Sequence, residues 1–171
     1  MKARFAPLHA GVWFYPSDGC PGAKWFLARW GRIALSLFFR PAKRERGRYF
    51  NEVPVPDFWE ISGDNSSGKV NYYGQEKARI AYHAASYKRI VESVEWLDDK
   101  GQVVMIERYD QYGRKIAVTT CDAQGHPLVT TYFEGDTERL TENHQTGDLI
   151  LTLANQPMRI FKNRIDYFVF I

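Results

Sequence analysis

Residues 98–133 read DDKGQVVMIERYDQYGRKIAVTTCDAQGHPLVTTYF, and the spacing of Asp and Gly within this stretch predicts the fold. An aspartate, two further residues and a glycine occur at 98–101, 110–113 and 122–125, so the repeat is twelve residues long. Asp can bond its own backbone in a turn, and Gly takes the positive φ that closes a short hairpin loop. Each occurrence therefore predicts a reversal of the chain.

The segments between these reversals are rich in Val, Ile, Thr and Tyr, which favour β-strands. They cover residues 102–109, 114–121 and 126–133. Strands joined in succession by tight turns form an antiparallel meander. The repeat therefore predicts at least three adjacent strands of one sheet.

The even length of the repeat also predicts which side chains share a face, because side chains alternate along a strand. We expect residues twelve apart to lie on the same face. One face would then carry Val104, Ile116 and Leu128, with Ile106, Val118 and Thr130 beside them. The other would carry Met105, Ala117 and Val129, then Glu107, Thr119 and Thr131, then Tyr109, Cys121 and Phe133. This second face mixes Thr with an aromatic rim and could receive another chain.

The whole sequence divides into three parts. Residues 1–48 form a basic, aromatic segment with a candidate amphipathic helix at 25–40, and residues 49–68 are expected to be an extended linker and loop. Residues 69–171 are expected to form the β-meander, which makes the protein mainly β. The last stretch, RIDYFVFI, is predicted to be a strand; because an apolar terminal strand needs a cover, we expect the meander to be truncated at its C-terminus.

Charge is distributed unevenly between these parts. Residues 1–48 hold ten Lys or Arg against two acids, whereas residues 49–171 hold thirteen against eighteen. A mildly acidic sheet is a poor nucleic-acid binder, so we expect no nucleic-acid partner. Residues 25–48 fit either a peripheral contact with an anionic membrane surface or a helix that belongs to a larger core. Cys20 and Cys121 show no metal-like spacing and are expected to be reduced thiols in a cytosolic protein.

The sequence lacks the usual signatures of phosphate, zinc and serine-nucleophile sites. The scattered histidines fit turn or surface roles, and ENHQTGD at 142–148 fits a hairpin turn better than an acid–base pair. We therefore expect no catalytic residue, no cofactor and no metal in this chain.

The hairpin RYDQYGRK at 108–115 is the best candidate for binding. Its rings and cations could hold an extended peptide or a saccharide, although a solvated edge with packed rings explains them as well. The candidate binding residues are Arg108, Tyr109, Tyr112, Tyr132 and Phe133.

Several blocks taken together resemble one known family. They are YFNEVPVPDFWEI (49–61), KRIVESVEWLDDKG (88–101), ERYDQYGR (107–114), ENHQTGDLIL (142–151) and FKNRIDYFVF (161–170). In order and in register, they resemble the extended β-meander domain of the glycosyltransferase-stabilising subunits of accessory-Sec glycosylation systems. The resemblance covers roughly residues 48–171, while residues 1–47 depart from the family's opening segment.

This resemblance implies a fold and a role. In the family, the meander is inserted into the first of two Rossmann-like halves of a GT-B architecture. The subunit is non-catalytic, pairs with the catalytic peptide N-acetylglucosaminyltransferase and helps to bind a serine-rich adhesin polypeptide. Its expected location is the cytoplasm, with peripheral association at the inner face of the cell membrane as a further expectation. Association of copies through sheet edges is a further expectation.

Two alternatives remain open at this point. One is a fragment of a related active GT-B glycosyltransferase, such as a wall-teichoic-acid or peptide N-acetylglucosaminyltransferase. The other is a structural β-repeat protein, because YDQYGRK is similar to YD-type repeats.

Overall fold

A computed structural model describes residues 46–84 and 88–170, and these form a single antiparallel sheet of ten strands. Each strand pairs with its neighbours in sequence, so the sheet is one uninterrupted meander. A 3₁₀ helix at Phe50–Glu52 precedes the sheet and helix α1 at Arg164–Phe170 follows it. The strands are β1 Glu60–Gly63, β2 Ser67–Tyr72, β3 Gln75–Tyr82, β4 Val91–Leu97, β5 Val103–Tyr109, β6 Lys115–Cys121, β7 Pro127–Glu134, β8 Thr137–Asn143, β9 Leu149–Leu151 and β10 Arg159–Phe161.

The turns confirm the reading of the Asp and Gly repeat. Gly101, Gly113 and Gly125 have φ of 78°, 82° and 82°. In the central turn, Oδ1 of Asp110 accepts hydrogen bonds from two backbone N–H groups of the loop, at 2.9 and 3.0 Å. The other two aspartates do the same. The repeated signal is therefore a repeated turn.

The assignment of faces was wrong for neighbouring strands. Ile106 pairs with Thr119, which pairs with Thr130, so these three share a face and Val118 lies on the other one. The cause is the register: apart from the pair next to each turn, these hairpins pair an even-numbered residue with an odd-numbered one. Residues twelve apart therefore alternate between faces, and residues two repeats apart share one.

A β-bulge at the same place in each repeat sets this register. Val104, Ile116 and Leu128 are each left without a cross-strand partner where the pairing shifts. An extra residue on one strand resets the alternation and increases the right-handed twist. The three residues predicted to form one column are therefore bulge residues, and because the chain reverses at every turn, Ile116 lies at the opposite end of the strands from Val104 and Leu128. Ile116 packs in the core cluster that contains Ala117.

Two predicted boundaries also differ from the structure. The sheet begins at Glu60, so β1 and the start of β2 occupy part of the expected linker 49–68. These strands form because Ile61 and Val70 supply apolar side chains to a core. The terminal stretch RIDYFVFI is helix α1 and not a strand. There Tyr167 packs on the sheet at helical spacing from Arg164, while the side chain of Asn163 accepts the backbone N–H of Asp166 at 2.9 Å.

The two ends of the sheet are covered on opposite faces. Residues 49–59, hereafter the arm, pack Val53 with Phe50, Val55 and Trp59 over β2–β5. We call this side the arm face; it includes Val118 and Thr131. Helix α1 instead places Tyr167 on the other side, the helix face. The residues it joins there are Ala117, Tyr132, Leu140, Leu149 and Leu151.

An ion pair anchors α1 to the helix face. The carboxylate of Glu142 is almost fully buried, and Oε1 accepts a hydrogen bond from Nε of Arg164 at 2.5 Å. The hydroxyl of Tyr132 lies 3.5 Å from the other oxygen. A buried carboxylate without a partner is costly, so this pair fixes where the helix sits.

Replacing Arg164 with Ala should lower the free energy of unfolding by about 2–3 kcal/mol, because it leaves the buried Glu142 carboxylate without its cation. Urea denaturation measures the change. Arg79→Ala is the control: its pair with Glu76 is solvent-exposed, so its loss should change stability by less than about 0.5 kcal/mol. Equal effects of the two substitutions would contradict this role of the buried pair.

Gly113→Ala should destabilise the protein more than Gly101→Ala. Both substitutions place a side chain at positive φ, which costs about 1–2 kcal/mol. At Gly113 an added Cβ would also lie 2.6 Å from the backbone nitrogen of Arg48, whereas at Gly101 nothing lies within 4 Å. Thermal unfolding of the two variants tests the ordering. A Gly101 variant at least as damaged as the Gly113 variant would show that the backbone at Arg48 does not constrain this turn.

Candidate interaction surface

The arm face is uncovered over β6–β9. Away from the end that carries Lys115, Phe133 and Glu138, seven side chains point out there, each partly or fully exposed and none included in either core cluster. They form one patch across four strands, hereafter the bare patch, and none of them carries a charge. The seven are Val118, Thr120, Val129, Thr131, Thr141, Asn143 and Ile150.

The helix face of β1–β4 is also uncovered, but its chemistry is different. Lys69, Arg79 and Glu95 follow one another across paired strands, with Glu60 nearby at the sheet edge. Alternating charges of this kind suit contact with water. The two uncovered regions are therefore unlike, and the bare patch is the better protein interface because charged residues are depleted at interface cores.

A groove of about 580 Å³ lies on the arm face between the arm and the bare patch. It is open along one side and combines rings, cations and acids. The lining residues are Arg48, Pro54, Trp96, Met105, Glu107, Tyr109, Gly113, Arg114, Lys115, Phe133, Gly135 and Asp136.

The polar groups on the floor of the groove bind one another. Glu107 accepts the hydroxyl of Tyr109 at 2.9 Å and Nζ of Lys115 at 3.2 Å. Burial raises the pKa of Tyr109, and the negative charge of Glu107 raises it further. The guanidinium of Arg48 lies 5.0 Å from the centre of the Tyr109 ring and donates to the carbonyl of Gly113 at 3.3 Å. These contacts fix the shape of the groove, so it is suited to recognition by surface complementarity.

The five residues predicted to bind do not form one surface. Tyr109 and Tyr132 are buried, with 4% and 2% of their surface exposed, and lie in the two separate core clusters. They cannot share one surface, because Tyr109 lies on the arm face and Tyr132 on the helix face. Arg108 pairs with Ala117 on the helix face, whereas Phe133 lines the groove.

Tyr112 lies at the hairpin turn. The guanidinium of Arg114 lies over its ring at 5.2 Å and pairs with Asp110 at 2.8 Å. Arg108, Tyr112 and Phe133 therefore remain accessible candidates, each on a different part of the surface. Sequence reasoning missed Glu107 and Lys115, because their pairing needs two strands in a known register.

The acid and histidine of ENHQTGD form a structural network. Nε2 of His144 lies 2.8 Å from the hydroxyl of Thr130, which in turn lies 2.8 Å from that of Thr119. Gly147 has φ of 79°, as the turn interpretation predicts. Burial lowers the pKa of His144, the nearby Glu142 carboxylate opposes this shift, and Arg164 adds to it. Neutral His144 thus belongs to the folded state.

The fold should lose stability as the pH falls below about 6.5, the ordinary pKa of histidine. Because the pKa of His144 is lowered in the folded state, the unfolded chain binds the proton more readily there, and stability is complete only above that pH. Thermal midpoints between pH 7.5 and 5 measure this loss. His144→Gln should flatten the dependence, and an unchanged slope would assign it to other groups.

Among residues 46–84 and 88–170, no cluster of three or more His, Cys, Asp or Glu could hold a metal ion. No helix in the same part of the chain is long and apolar enough to cross a membrane. The candidate amphipathic helix at 25–40 lies outside the described residues, and so does Cys20.

The family of the GtfB middle domain matches residues 59–162, which cover the whole sheet from just before β1 to just after β10. The chain belongs to this family. A protein of Streptococcus gordonii named UDP-N-acetylglucosamine–peptide N-acetylglucosaminyltransferase stabilizing protein GtfB is 48% identical over 123 residues, which are 71% of this chain and 27% of that protein. A protein of the same name from Streptococcus pneumoniae serotype 4 is 42% identical over 123 residues, 71% of this chain and 28% of its own.

This chain is also similar to a solved structure described as the GtfA/B complex bound to UDP and GlcNAc. It matches with a TM-score of 0.72 and 44% identity, over 77% of this chain and 30% of that one. A structure of accessory secretory proteins 1, 2 and 3 of Streptococcus pneumoniae shares the fold at a TM-score of 0.62 and 13% identity, over 80% of this chain and 28% of that one. The chain spans 27–28% of the two curated relatives.

Proposed function

We propose that this chain supplies the docking sheet of a non-catalytic subunit that stabilises a peptide N-acetylglucosaminyltransferase. The bare patch is the observation that supports this most directly. A sheet one layer thick cannot bury both faces by itself, so an uncharged region of Val, Thr and Ile side chains is expected to be covered by another protein surface. Membership of the GtfB middle-domain family, whose named relatives are stabilising proteins, indicates which kind of partner covers it.

The proposed partner is the catalytic glycosyltransferase. The 44% identical neighbour was solved in a complex with a second subunit, and the same type of sheet is available here for contact. Four strands contribute to the bare patch, so a flat partner surface could bury it without rearrangement. Thr hydroxyls within the patch could exchange hydrogen bonds with that surface, which suits a contact that is specific and partly polar.

The proposal assigns no catalytic step to this chain. The polar groups on the groove floor, Glu107, Tyr109 and Lys115, are engaged with one another, which supports a role in binding over one in acid–base chemistry. The names of the relatives also describe stabilisation of an enzyme and not a reaction. The family match favours this role over both an active glycosyltransferase fragment and a structural repeat protein.

We further propose that the groove helps to hold the acceptor, a Ser/Thr-rich adhesin polypeptide, in the cytoplasm. An extended peptide could lie along the opening, in contact with Phe133 and Arg48, which both line the groove. Arg108 and Tyr112 would act outside the groove. Contact of residues 25–48 with a membrane surface, and of copies through sheet edges, stay predictions from the sequence.

The patch can be tested with one charge. Thr131 lies in the centre of the bare patch, and Thr131→Arg would place an unpaired cation in a desolvated contact, which is unfavourable. We expect the affinity for the catalytic glycosyltransferase of the same genome to fall by about tenfold or more, measured by calorimetric titration. The thermal midpoint of that enzyme should rise with the wild-type chain and less with the variant.

Ala81→Arg is the matched control. It adds the same cation at an exposed position on the charged helix face, away from the bare patch. It should leave the affinity within about twofold. Equal losses in the two variants would point to a general charge effect. A wild-type chain that neither binds nor stabilises the glycosyltransferase would refute the proposed function.

A further inference from the structure

The arm-side end of the sheet carries a group of four rings, two of which packing does not explain. Trp59 and Tyr72 stack with centroids 5.6 Å apart, and Tyr72 meets Tyr73 edge to face at 4.5 Å. Phe58 and Tyr73 are each 91% exposed. We call these four residues the aromatic tip. Two of its rings are held by their neighbours, and the other two stand in solvent.

Phe58 occupies a backbone position that normally requires glycine. The N–H of Trp59 donates to the carbonyl of Pro56 at 3.3 Å and closes a turn in which Phe58 has φ of 69°. A positive φ at the third residue of such a turn favours Gly or Asn. A bulky residue there is an outlier, and burial of the ring does not offset the free-energy cost of this backbone conformation.

Tyr73 repeats the same arrangement on the next turn. The two-residue loop between β2 and β3 is Tyr73–Gly74, with φ of 47° and 79°. Positive φ at both residues is typical of hairpin loops that prefer Asn-Gly. Asn would therefore suit the first position better than Tyr. Twice at one end of the sheet, then, an unfavourable residue displays an aromatic ring, and such outliers concentrate at ligand-binding places.

We propose that the aromatic tip binds the pyranose rings of an O-glycosylated Ser/Thr-rich polypeptide. This inference rests on the proposed function, which supplies a polypeptide bearing N-acetylglucosamine as the molecule at hand. Aromatic faces are electron-rich and attract the C–H bonds that one side of a pyranose presents. Two exposed rings anchored by two stacked ones provide such faces on a rigid turn.

The β4–β5 turn next to the tip is balanced in charge, although the exposed acids Asp57 and Glu60 flank Phe58 and Trp59. Lys77 and Asp99 neutralise one another at 2.6 Å, so the neighbouring turn offers neither a net cation for a phosphate nor a net anion for a basic peptide. Nε2 of Gln75 donates to the carbonyl of Asp99 at 2.9 Å, and its side-chain oxygen adds an acceptor beside Tyr73 in sequence. The tip consists of two turns with one protruding ring each, far smaller than the roughly 800 Å² per partner of a stable protein interface.

Two substitutions separate binding from folding. Tyr73→Asn and Phe58→Gly each restore the residue that its turn prefers, so the thermal midpoint should stay the same or rise. If the rings bind sugar, the same variants should bind a synthetic N-acetylglucosaminyl-Ser/Thr peptide about tenfold more weakly than the wild-type chain. Calorimetry or NMR titration of the full chain gives both the affinity and, through the Tyr signals, the place of contact.

Met158→Gln is the control, because Met158 is exposed at the other end of the sheet and should not change the affinity. The unmodified peptide should bind the tip much more weakly than the glycosylated one. Equal binding of both peptides, with equal loss in the variants, would make the tip a peptide site and overturn the inference. Self-association of the wild-type chain that Tyr73→Asn abolishes would also overturn the inference. The same holds if the wild-type chain does not bind the glycopeptide at millimolar concentration.

The outcome is independent of the docking test. Tyr73 and Phe58 lie outside the bare patch, so their variants should bind the glycosyltransferase like the wild-type chain. Loss of glycopeptide binding with docking intact would support the tip and leave the proposed function standing. Failure of docking in the wild-type chain would remove the proposed function whatever the tip binds.

Discussion

A sheet that is one layer thick has to find cover for two faces, and the organisation of this protein follows from that constraint. The arm covers one face over β2–β5, and α1 covers the other face near β7–β9. Each core is small and local. What is left over is one charged region, which water can cover, and one uncharged region, which water covers poorly. The proposed interaction surface is thus the part of the sheet that neither cover buries, and it lies beside the groove because the arm ends there.

The sequence predicted the strands and turns of the central sheet because their signals are local. Asp110 and Gly113 act within five residues of one another. The recurrence of such Asp and Gly pairs every twelve residues directly predicts a meander. Which face each side chain occupies could not be predicted in the same way. It depends on one unpaired residue in each hairpin, and Ile116 does not differ in type from its paired neighbours. One residue of register exchanges the two faces, which is why Val118 and Thr119 were each assigned to the wrong side.

The ends of the sheet were less predictable for a different reason. RIDYFVFI suits a strand by composition, but its apolar residues meet a sheet face and not a neighbouring strand, and Tyr167 with Arg164 reaches that face as a helix. Tyr109 and Tyr132 were chosen as binding residues by type alone, whereas their burial depends on covers from distant segments. The aromatic tip did have a local signal: Tyr73 precedes Gly74 where Asn-Gly would be expected.

Because the faces alternate with each repeat, the side on which the chain leaves the sheet depends on whether the number of strands is even or odd. If one twelve-residue unit were lost, every downstream side chain would change sides and α1 would arrive on the face that the arm already occupies. Loss of two units would restore both the direction of the chain and the side on which it leaves the sheet. Meanders of this kind can therefore gain or lose strands without exchanging the faces of downstream side chains only in pairs, that is, by whole hairpins. The sides from which the chain enters and leaves the sheet then show whether the number of strands is even or odd.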